Sequence, residues 1–321
     1  MSTKPVVWIT RTLSANTLAR ARQHYEVVFD NRDEPADSAT IIARSADVDA
    51  CIPCHSEHFS AEVVAQLHPR LKIIANHSVG VDHCDLNALK SHGVVVTNTP
   101  DVLSDATAEI AMLLLLGAAR RAAEGDALVR SGTWTSWSPS FMVGHQVSGK
   151  RIGIVGMGKV GQVMARRARG FDMQVHYYNR KRLSADKEAG AVYHDSLDSL
   201  LGVSEYLSLH CPATDETRGM LDAEAIAKLP DGAIVVNTAR GALIDEQALV
   251  HSISRGKLAA AGLDCFVTEP GGNPDFAVHS NIFMLPHIGS ATFDTRDAMG
   301  YRALDNLDAY FAGKEPGDRL V

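Results

Sequence analysis

Apolar residues in this chain gather in short runs separated by segments of helical periodicity. Val6-Val7-Trp8-Ile9 reads as a strand, residues 14 to about 23 as a helix, and residues 25–29 as a second strand. Strands follow at Ala50-Cys51-Ile52 and Leu71-Lys72-Ile73-Ile74, with a helix over 60–67 between them, and Val94-Val95-Val96 closes the set. Such alternation predicts a parallel sheet with helices on both faces. Asn98-Thr99-Pro100 breaks the pattern. A long helix then starts near Ser104 and runs through Ala111-Met112-Leu113-Leu114-Leu115-Leu116, apolar on nearly every side, which predicts burial between domains. After an aromatic loop at 134–141, a second series of strands and helices occupies residues 152 to about 285. Its later strands are expected at 173–178, 206–209, 233–236, 259–263 and 282–285. A helix from about 292 to 311 and a charged tail end the chain. If that helix packs on the first domain, the chain crosses twice, giving domains of 1–99 plus 291–321 and 100–290 with a cleft between them.

The second series opens on Lys150-Arg151-Ile152-Gly153-Ile154-Val155-Gly156-Met157-Gly158-Lys159-Val160-Gly161. A short apolar strand runs into Gly156-x-Gly158-x-x-Gly161, and a helix follows over 160–169. Gly156 permits the tight turn, Gly158 lets the backbone approach a pyrophosphate, and Gly161 lets the helix pack closely on the sheet. Glycine-rich turns are common, but strand before, helix after and a second strand at 173–178 are the context this motif requires. A dinucleotide is the expected ligand.

Composition narrows the partners. At 321 residues the chain is long enough for roughly two cores. A net charge of −7 argues against nucleic acid or an anionic membrane as main partner, and the longest apolar run, 110–119, is too short to cross a bilayer. The N-terminus enters a strand at once, without a signal peptide, and five cysteines then suggest free thiols in a reducing, cytoplasmic setting. Cys51-Ile52-Pro53-Cys54-His55 matches the CxxCH of haem attachment, with His58 nearby. Haem attachment belongs to exported proteins, however, and this segment ends an apolar strand, so small residues closing a strand–helix unit are the better reading. No metal site is expected.

Three residues near the ends of late strands can carry chemistry: Arg240 in Asn237-Thr238-Ala239-Arg240-Gly241, Glu269 in Thr268-Glu269-Pro270, and His287 in Pro286-His287-Ile288-Gly289. Strand C-termini line the ligand crevice of a doubly wound sheet, so the three can converge there. Arginine grips a carboxylate or carbonyl with a planar fork. Histidine gives or takes a proton near neutral pH, and a paired glutamate orients it. Taken singly, each is equally a surface arginine, a loop acid and a helix-capping histidine.

These motifs, with Pro286-His287-Ile288-Gly289-Ser290-Ala291-Thr292 and Ser78-Val79-Gly80-Val81-Asp82-His83-Cys84-Asp85-Leu86, resemble the D-isomer-specific 2-hydroxyacid dehydrogenases along essentially the whole chain. Trp134-Thr135-Ser136-Trp137-x-Pro139 is most similar to the glyoxylate/hydroxypyruvate reductase branch. The resemblance implies a Rossmann-type NAD(P)-binding domain, a flavodoxin-like substrate domain and an interdomain cleft. It implies that Arg240 binds substrate, that His287 moves the proton and that Glu269 pairs with it. Backbone amides of Val79 and Gly80 would hold the substrate carboxylate. Thr107 and Asp264 would meet the nicotinamide end of the cofactor. Around them the cofactor would be lined by Lys159 and Val160 in the glycine turn, by Cys211, Pro212 and Thr217, and by Thr238, Ala239, Arg240, His287 and Gly289. The aromatic loop either fills the seam between domains of one chain or, as the branch implies, lies at a homodimer interface with Trp137, less readily Trp134, narrowing the partner's pocket.

The cofactor type follows from one departure. An NAD-selective fold places Asp or Glu after the second strand, about 20 residues past the glycines, to bind the ribose 2′-hydroxyl. Here that strand ends in Tyr178-Asn179-Arg180-Lys181-Arg182, with no acid and three cations. Asn179, Arg180 and Lys181 suit a 2′-phosphate, with Arg182 as a further source of charge, and NADPH is expected over NADH. The expected reaction is reduction of a small 2-oxo acid. Rivals are D-3-phosphoglycerate, phosphite or a bulkier 2-oxo acid as substrate, and a nucleotide-sensing corepressor-like protein. Formate dehydrogenases share the fold but carry glutamine where this chain has Glu269.

Overall fold

The computed structural model describes residues 4–29 and 33–321, and the chain divides into two compact units, Met1–Leu103 with Ala291–Val321, and Ser104–Ser290. In the first unit β1 (Val6–Ile9), β2 (Glu26–Phe29), β3 (Ala50–Ile52), β4 (Ile73–Ala75) and β5 (Val95–Thr97) form one sheet in the order β2-β1-β3-β4-β5, every pair parallel. This is the 2-1-3-4-5 order of flavodoxin-like sheets. β3 and β4 are buried at every position, as strands covered on both faces must be.

Four helices connect these strands: α1 (Ala15–His24), α2 (Ser38–Ser45), α3 (Ala61–Val64) and α4 (Leu86–Ser91). Ser14, Asp37, Ser60 and Asp85 cap them, each side chain accepting from an amide that the helix leaves orphaned. The apolar pattern does not predict α2 or α4, which are too short to display a stripe over several turns. It also runs α3 on to residue 67. The helix closes at Val64 because the amides of Gln66 and Leu67 bond three residues back, to Val63 and Val64, instead of four.

The second unit opens with α5 (Ser104–Ala119) and α6 (Ala122–Arg130). β6 (Arg151–Val155), α7 (Lys159–Arg169), β7 (Gln174–Tyr178), α8 (Ala185–Glu188), β8 (Val192–His194) and α9 (Leu197–Leu201) form its first half. β9 (Tyr206–Leu209), α10 (Ala223–Lys228), β10 (Ala233–Asn237), α11 (Glu246–Ser254), β11 (Leu258–Leu263) and β12 (Ile282–Met284) form the second. The all-parallel sheet runs β12-β11-β10-β9-β6-β7-β8. Counted from β6, this is the 3-2-1-4-5-6 order of dinucleotide-binding sheets with a seventh strand added.

The apolar character of α5 has a cause inside its own unit, where the helix packs on β10, β11 and α7. Eleven of its 16 residues are buried, Leu114 and Leu115 completely. Side chains of that size each contribute about 1.5–3 kcal/mol when fully buried. A helix covered on one flank by a sheet and on another by a helix needs apolar residues most of the way round.

The chain returns to the first unit in α12 (Phe293–Phe311), capped by Thr292 and packed on α1 and β4. Its Ala303, Leu304 and Leu307 join Val7, Ile9 and Ile73 in one core. The charged tail is fastened down: Arg302 grips Asp318 with two bonds (2.6 and 2.7 Å), and the Leu320 amide donates to Val96 O (2.8 Å) at the edge strand. Among the described residues no helix is long and apolar enough to cross a membrane.

Candidate active site

The site of the second unit starts at the turn between β6 and α7. Gly156 sits at φ 90°, and a Cβ there would meet the Cys211 amide nitrogen at 2.6 Å. Glycine is therefore required both by the backbone and by the neighbouring strand end, and it brings Cys211 and Pro212 against the turn. A Cβ on Gly161 would overlap the Gly156 carbonyl, so this glycine sets how closely α7 approaches. Gly158, between them, is the N-cap of α7; it offers no side-chain cap, and nothing lies within 4 Å of where its Cβ would stand. Space thus lies open beside the start of the helix, the place at which a helix N-terminus accepts a phosphate. Lys159 is exposed and Val160 half-buried at the start of that helix.

At the end of β7, the Asn179 side chain accepts from the Met157 amide (2.7 Å), tying the basic turn to the glycine turn. The three cations beyond it are not equivalent. Arg182 binds the buried Glu188 with Nε and Nη2 (2.7 and 3.1 Å), and its guanidinium lies over Tyr193. The Tyr177 hydroxyl donates to the same carboxylate (2.6 Å) and accepts from the Leu183 amide (3.1 Å). Arg182 and Tyr177 together hold the Glu188 carboxyl below its usual range. Arg180 and Lys181 are exposed and, among the described residues, form no ion pair. Arg182, expected from the charge run as a further cation for a phosphate, is instead engaged within the protein.

Beyond β9, the Thr217 hydroxyl donates to Pro212 O (2.7 Å) and accepts from the Thr214 amide (2.8 Å), shaping the loop that carries Cys211 and Pro212. Burial pushes the Cys211 thiol up to about 11, so it stays protonated at neutral pH. Thr238, just past β10, has a buried hydroxyl with no hydrogen-bond partner among the described residues. An orphaned polar atom of this kind calls for a ligand group. Ala239 follows, its amide held by the Asn237 side chain (3.0 Å), which also donates to Arg240 O (2.8 Å).

The loops after β10, β11 and β12 carry the three candidate chemical residues. Glu269 Oε1 accepts from the Phe266 amide (2.7 Å), and Oε2 lies 2.5 Å from His287 Nδ1. The Glu269–Pro270 peptide is cis. His287 adopts φ 54°, a left-handed conformation that costs a residue with a Cβ about 1–3 kcal/mol and persists only where its surroundings fix it. Both side chains remain partly exposed, at 30% for His287 and 22% for Glu269, so the pair is reachable. Arg240 donates from Nη1 to Ala239 O (2.7 Å). The buried Cys265 thiol is pushed far up, above all by desolvation, with Glu269 and Asp264 raising it further and Arg240 opposing them.

Asp264 closes this region. It is buried, and desolvation raises its carboxyl even though the Ile288 amide (2.8 Å), His287 and the Gly289 amide pull the other way. Gly289 lies against Asp264 and Thr107 of α5. Val79 and Gly80 belong to the other unit, where Ser78 Oγ donates to Gly80 O (2.7 Å) and Asn98 donates to Val79 O (2.8 Å). Trp137 is 72% exposed and Trp134 54%.

A Rossmann sheet with an open glycine turn, and a carboxylate–imidazole pair beyond its strand ends, define a nicotinamide-nucleotide-dependent dehydrogenase. Residues 112–289 match the profile of the D-isomer specific 2-hydroxyacid dehydrogenase, NAD binding domain. A glycerate dehydrogenase of Hyphomicrobium methylovorum is 43% identical over 317 residues, 98% of each chain. A glyoxylate reductase of Thermococcus kodakarensis is 41% identical over 318 residues, 98% of this chain and 95% of that one. The crystal structure of an NADPH-dependent glyoxylate/hydroxypyruvate reductase from Sinorhizobium meliloti, in complex with NADP and malonate, has a TM-score of 0.88 at 29% identity, covering 99% of this chain and 97% of that one. The chain belongs to the D-isomer-specific 2-hydroxyacid dehydrogenase family and is an NAD(P)-dependent enzyme.

Proposed function

We propose that this enzyme reduces a small 2-oxo acid of the glyoxylate or hydroxypyruvate type to the 2-hydroxy acid, with NADPH preferred over NADH. The reading rests above all on the Glu269–His287 pair at 2.5 Å in a chain of this family. The residues fit the cofactor: the open glycine turn suits its pyrophosphate, Asn179, Arg180 and Lys181 its adenosine end, and Thr238, Asp264 and Thr107 its nicotinamide end. When bound, reduced nicotinamide supplies the hydride that adds to the carbonyl carbon. His287, held through Nδ1 by Glu269, offers Nε2 to the carbonyl oxygen and supplies the proton. Arg240 binds the substrate and steadies the charge developing on that oxygen. The first unit is the substrate domain, with the Val79 and Gly80 amides holding the carboxylate.

We also infer a homodimer. Trp134, Trp137, Phe141, Val143 and Val129 are all exposed, and α6 buries none of its residues within this chain. Apolar surface of that extent usually marks an interaction site. A panel of glyoxylate, hydroxypyruvate, pyruvate and bulkier 2-oxo acids, each run with NADPH and NADH, tests the reading. Efficient turnover of the small acids with NADPH supports it. Nucleotide binding without turnover of any acid points instead to a sensing protein.

A further inference from the structure

The loop bearing Glu269 has almost no regular structure, and a second carboxylate holds it in place. Glu246, in the first turn of α11, accepts from the Val267 amide at Oε1 (2.9 Å) and from Asn273 Nδ2 at Oε2 (3.0 Å). Its two oxygens therefore grip both limbs of the loop, one on each side of Glu269. Inside that span the Gly272 amide donates to Thr268 O (2.9 Å), and Glu269 takes the Phe266 amide. Asp245 caps α11 through the amides of Gln247 and Ala248 (3.0 and 3.1 Å), fixing the turn from which Glu246 projects.

The same loop is pressed against the segment that carries Arg240. A Cβ on Gly241 would overlap the Phe266 carbonyl group and the Val267 nitrogen. Gly241 thus rests on the Phe266–Val267 peptide, and Glu246 binds the nitrogen of that same peptide. The Arg240 segment and the Glu269 loop are fastened together at adjacent backbone points.

We propose that Glu246 is a positioning residue: its carboxylate sets Glu269, and through Glu269 the ring of His287, relative to Arg240. The inference rests on the reading of Glu269 and His287 as the acid–base pair. The plainer role for an acid in the first turn of a helix is to favour the helix dipole, which affects stability and leaves kinetics alone. Glu246 instead spends both oxygens on the loop. A glutamine could keep one of the two bonds, because its amide has a single acceptor oxygen.

The test is kinetic. Glu246→Ala and Glu246→Gln are made in the unmutated enzyme and in a Glu269→Gln background, and kcat, KM, the pH profile of 2-oxo acid reduction and the melting temperature are measured. In the unmutated background Glu246→Ala is expected to lower kcat about 10- to 100-fold, the scale of a small misplacement of a reacting group, with KM for the nucleotide near its original value. Glu246→Gln should retain part of the rate, and the pH profile should move as the imidazole loses a firmly placed partner. In the Glu269→Gln background Glu246→Ala should add nothing further, since both act on one element. An equal loss in both backgrounds overturns the proposal, as does an activity loss that follows melting temperature with an unmoved pH profile. If Glu269→Gln alone keeps full kcat and pH profile, the acid–base reading falls and the proposal with it. If Glu246→Ala fails to fold, the glutamine variant carries the same comparison.

Discussion

Arg180 and Arg182 stand two residues apart in one basic turn, yet their surroundings assign them different tasks, and this can be measured. Arg182 is committed to Glu188, which also holds Tyr177 and is buried, whereas Arg180 is exposed and has no ion pair among the described residues. Of the two arginines, Arg180 is then the one that can meet a 2′-phosphate without breaking an existing pair. A charge-assisted hydrogen bond to phosphate contributes about 1.5–3 kcal/mol, or roughly 10- to 100-fold in the ratio of kcat/KM for NADPH to that for NADH. Arg180→Ala is expected to remove most of that ratio by weakening use of NADPH alone, with an unchanged melting temperature. Arg182→Ala strands the Glu188 carboxylate and loosens the turn, so the melting temperature should fall with a smaller change in cofactor ratio. Steady-state kinetics with each cofactor and thermal melts of the three proteins decide the matter. Equal efficiency with NADPH and NADH in the unmutated enzyme refutes the cofactor reading. A preference that survives Arg180→Ala but vanishes in Arg182→Ala refutes the division of labour.

His287→Ala is expected to abolish most turnover while nucleotide binding, followed by fluorescence, survives; near-normal kcat in that variant means that another group moves the proton. Light scattering should give a dimer, and Trp137→Ala should shift efficiency toward larger 2-oxo acids; an active monomer, or unchanged selectivity in the variant dimer, argues against a wall supplied in trans. Buried His77 gives an acid-stability test: burial, reinforced by nearby Arg296, lowers it from 6.5 to about 4, so between those values the unfolded chain binds the proton and the folded one does not. Its contribution is present above pH 6.5 and lost as pH falls toward 4, about 2 kcal/mol of it between pH 7 and 5, and urea denaturation should show His77→Gln losing that much less than the unmutated protein over the range.

Legibility in the sequence followed physical cause. Residues 206–209 are readable as a strand because β9 is central and buried at every position, which leaves Ser208 as the one small polar residue in the run. The glycine turn is readable because its backbone leaves no alternative at Gly156 or Gly161. β8 escapes because it is a three-residue edge strand with Val192 half exposed, and such a strand needs no apolar run. The basic turn misleads over Arg182 because a row of cations does not show that a buried glutamate six residues later has claimed one of them. Glu246 is invisible for a similar reason: an acid opening a helix looks like an ordinary cap, and only the fold brings the Glu269 loop to it.

The candidate chemistry also shows what strand order adds to a list of residue types. Arg240, Glu269 and His287 follow β10, β11 and β12, which are successive neighbours in the sheet. Because these strands are parallel, their following loops leave from the same edge, so residues far apart in sequence emerge side by side. Topology brings them only to the same edge; the final ångströms come from local devices. The Asn237 side chain braces the peptide of Arg240, the Phe266 amide fixes one oxygen of Glu269, and the other oxygen meets His287. The first two devices use a backbone group or a buried side chain, where exchange with water is least able to compete, whereas the Glu269–His287 contact stays partly exposed. That separation, with the sheet setting the edge and short polar contacts setting the geometry, is why Gly241 and Glu246 are expected to matter to the rate although neither carries a reacting atom.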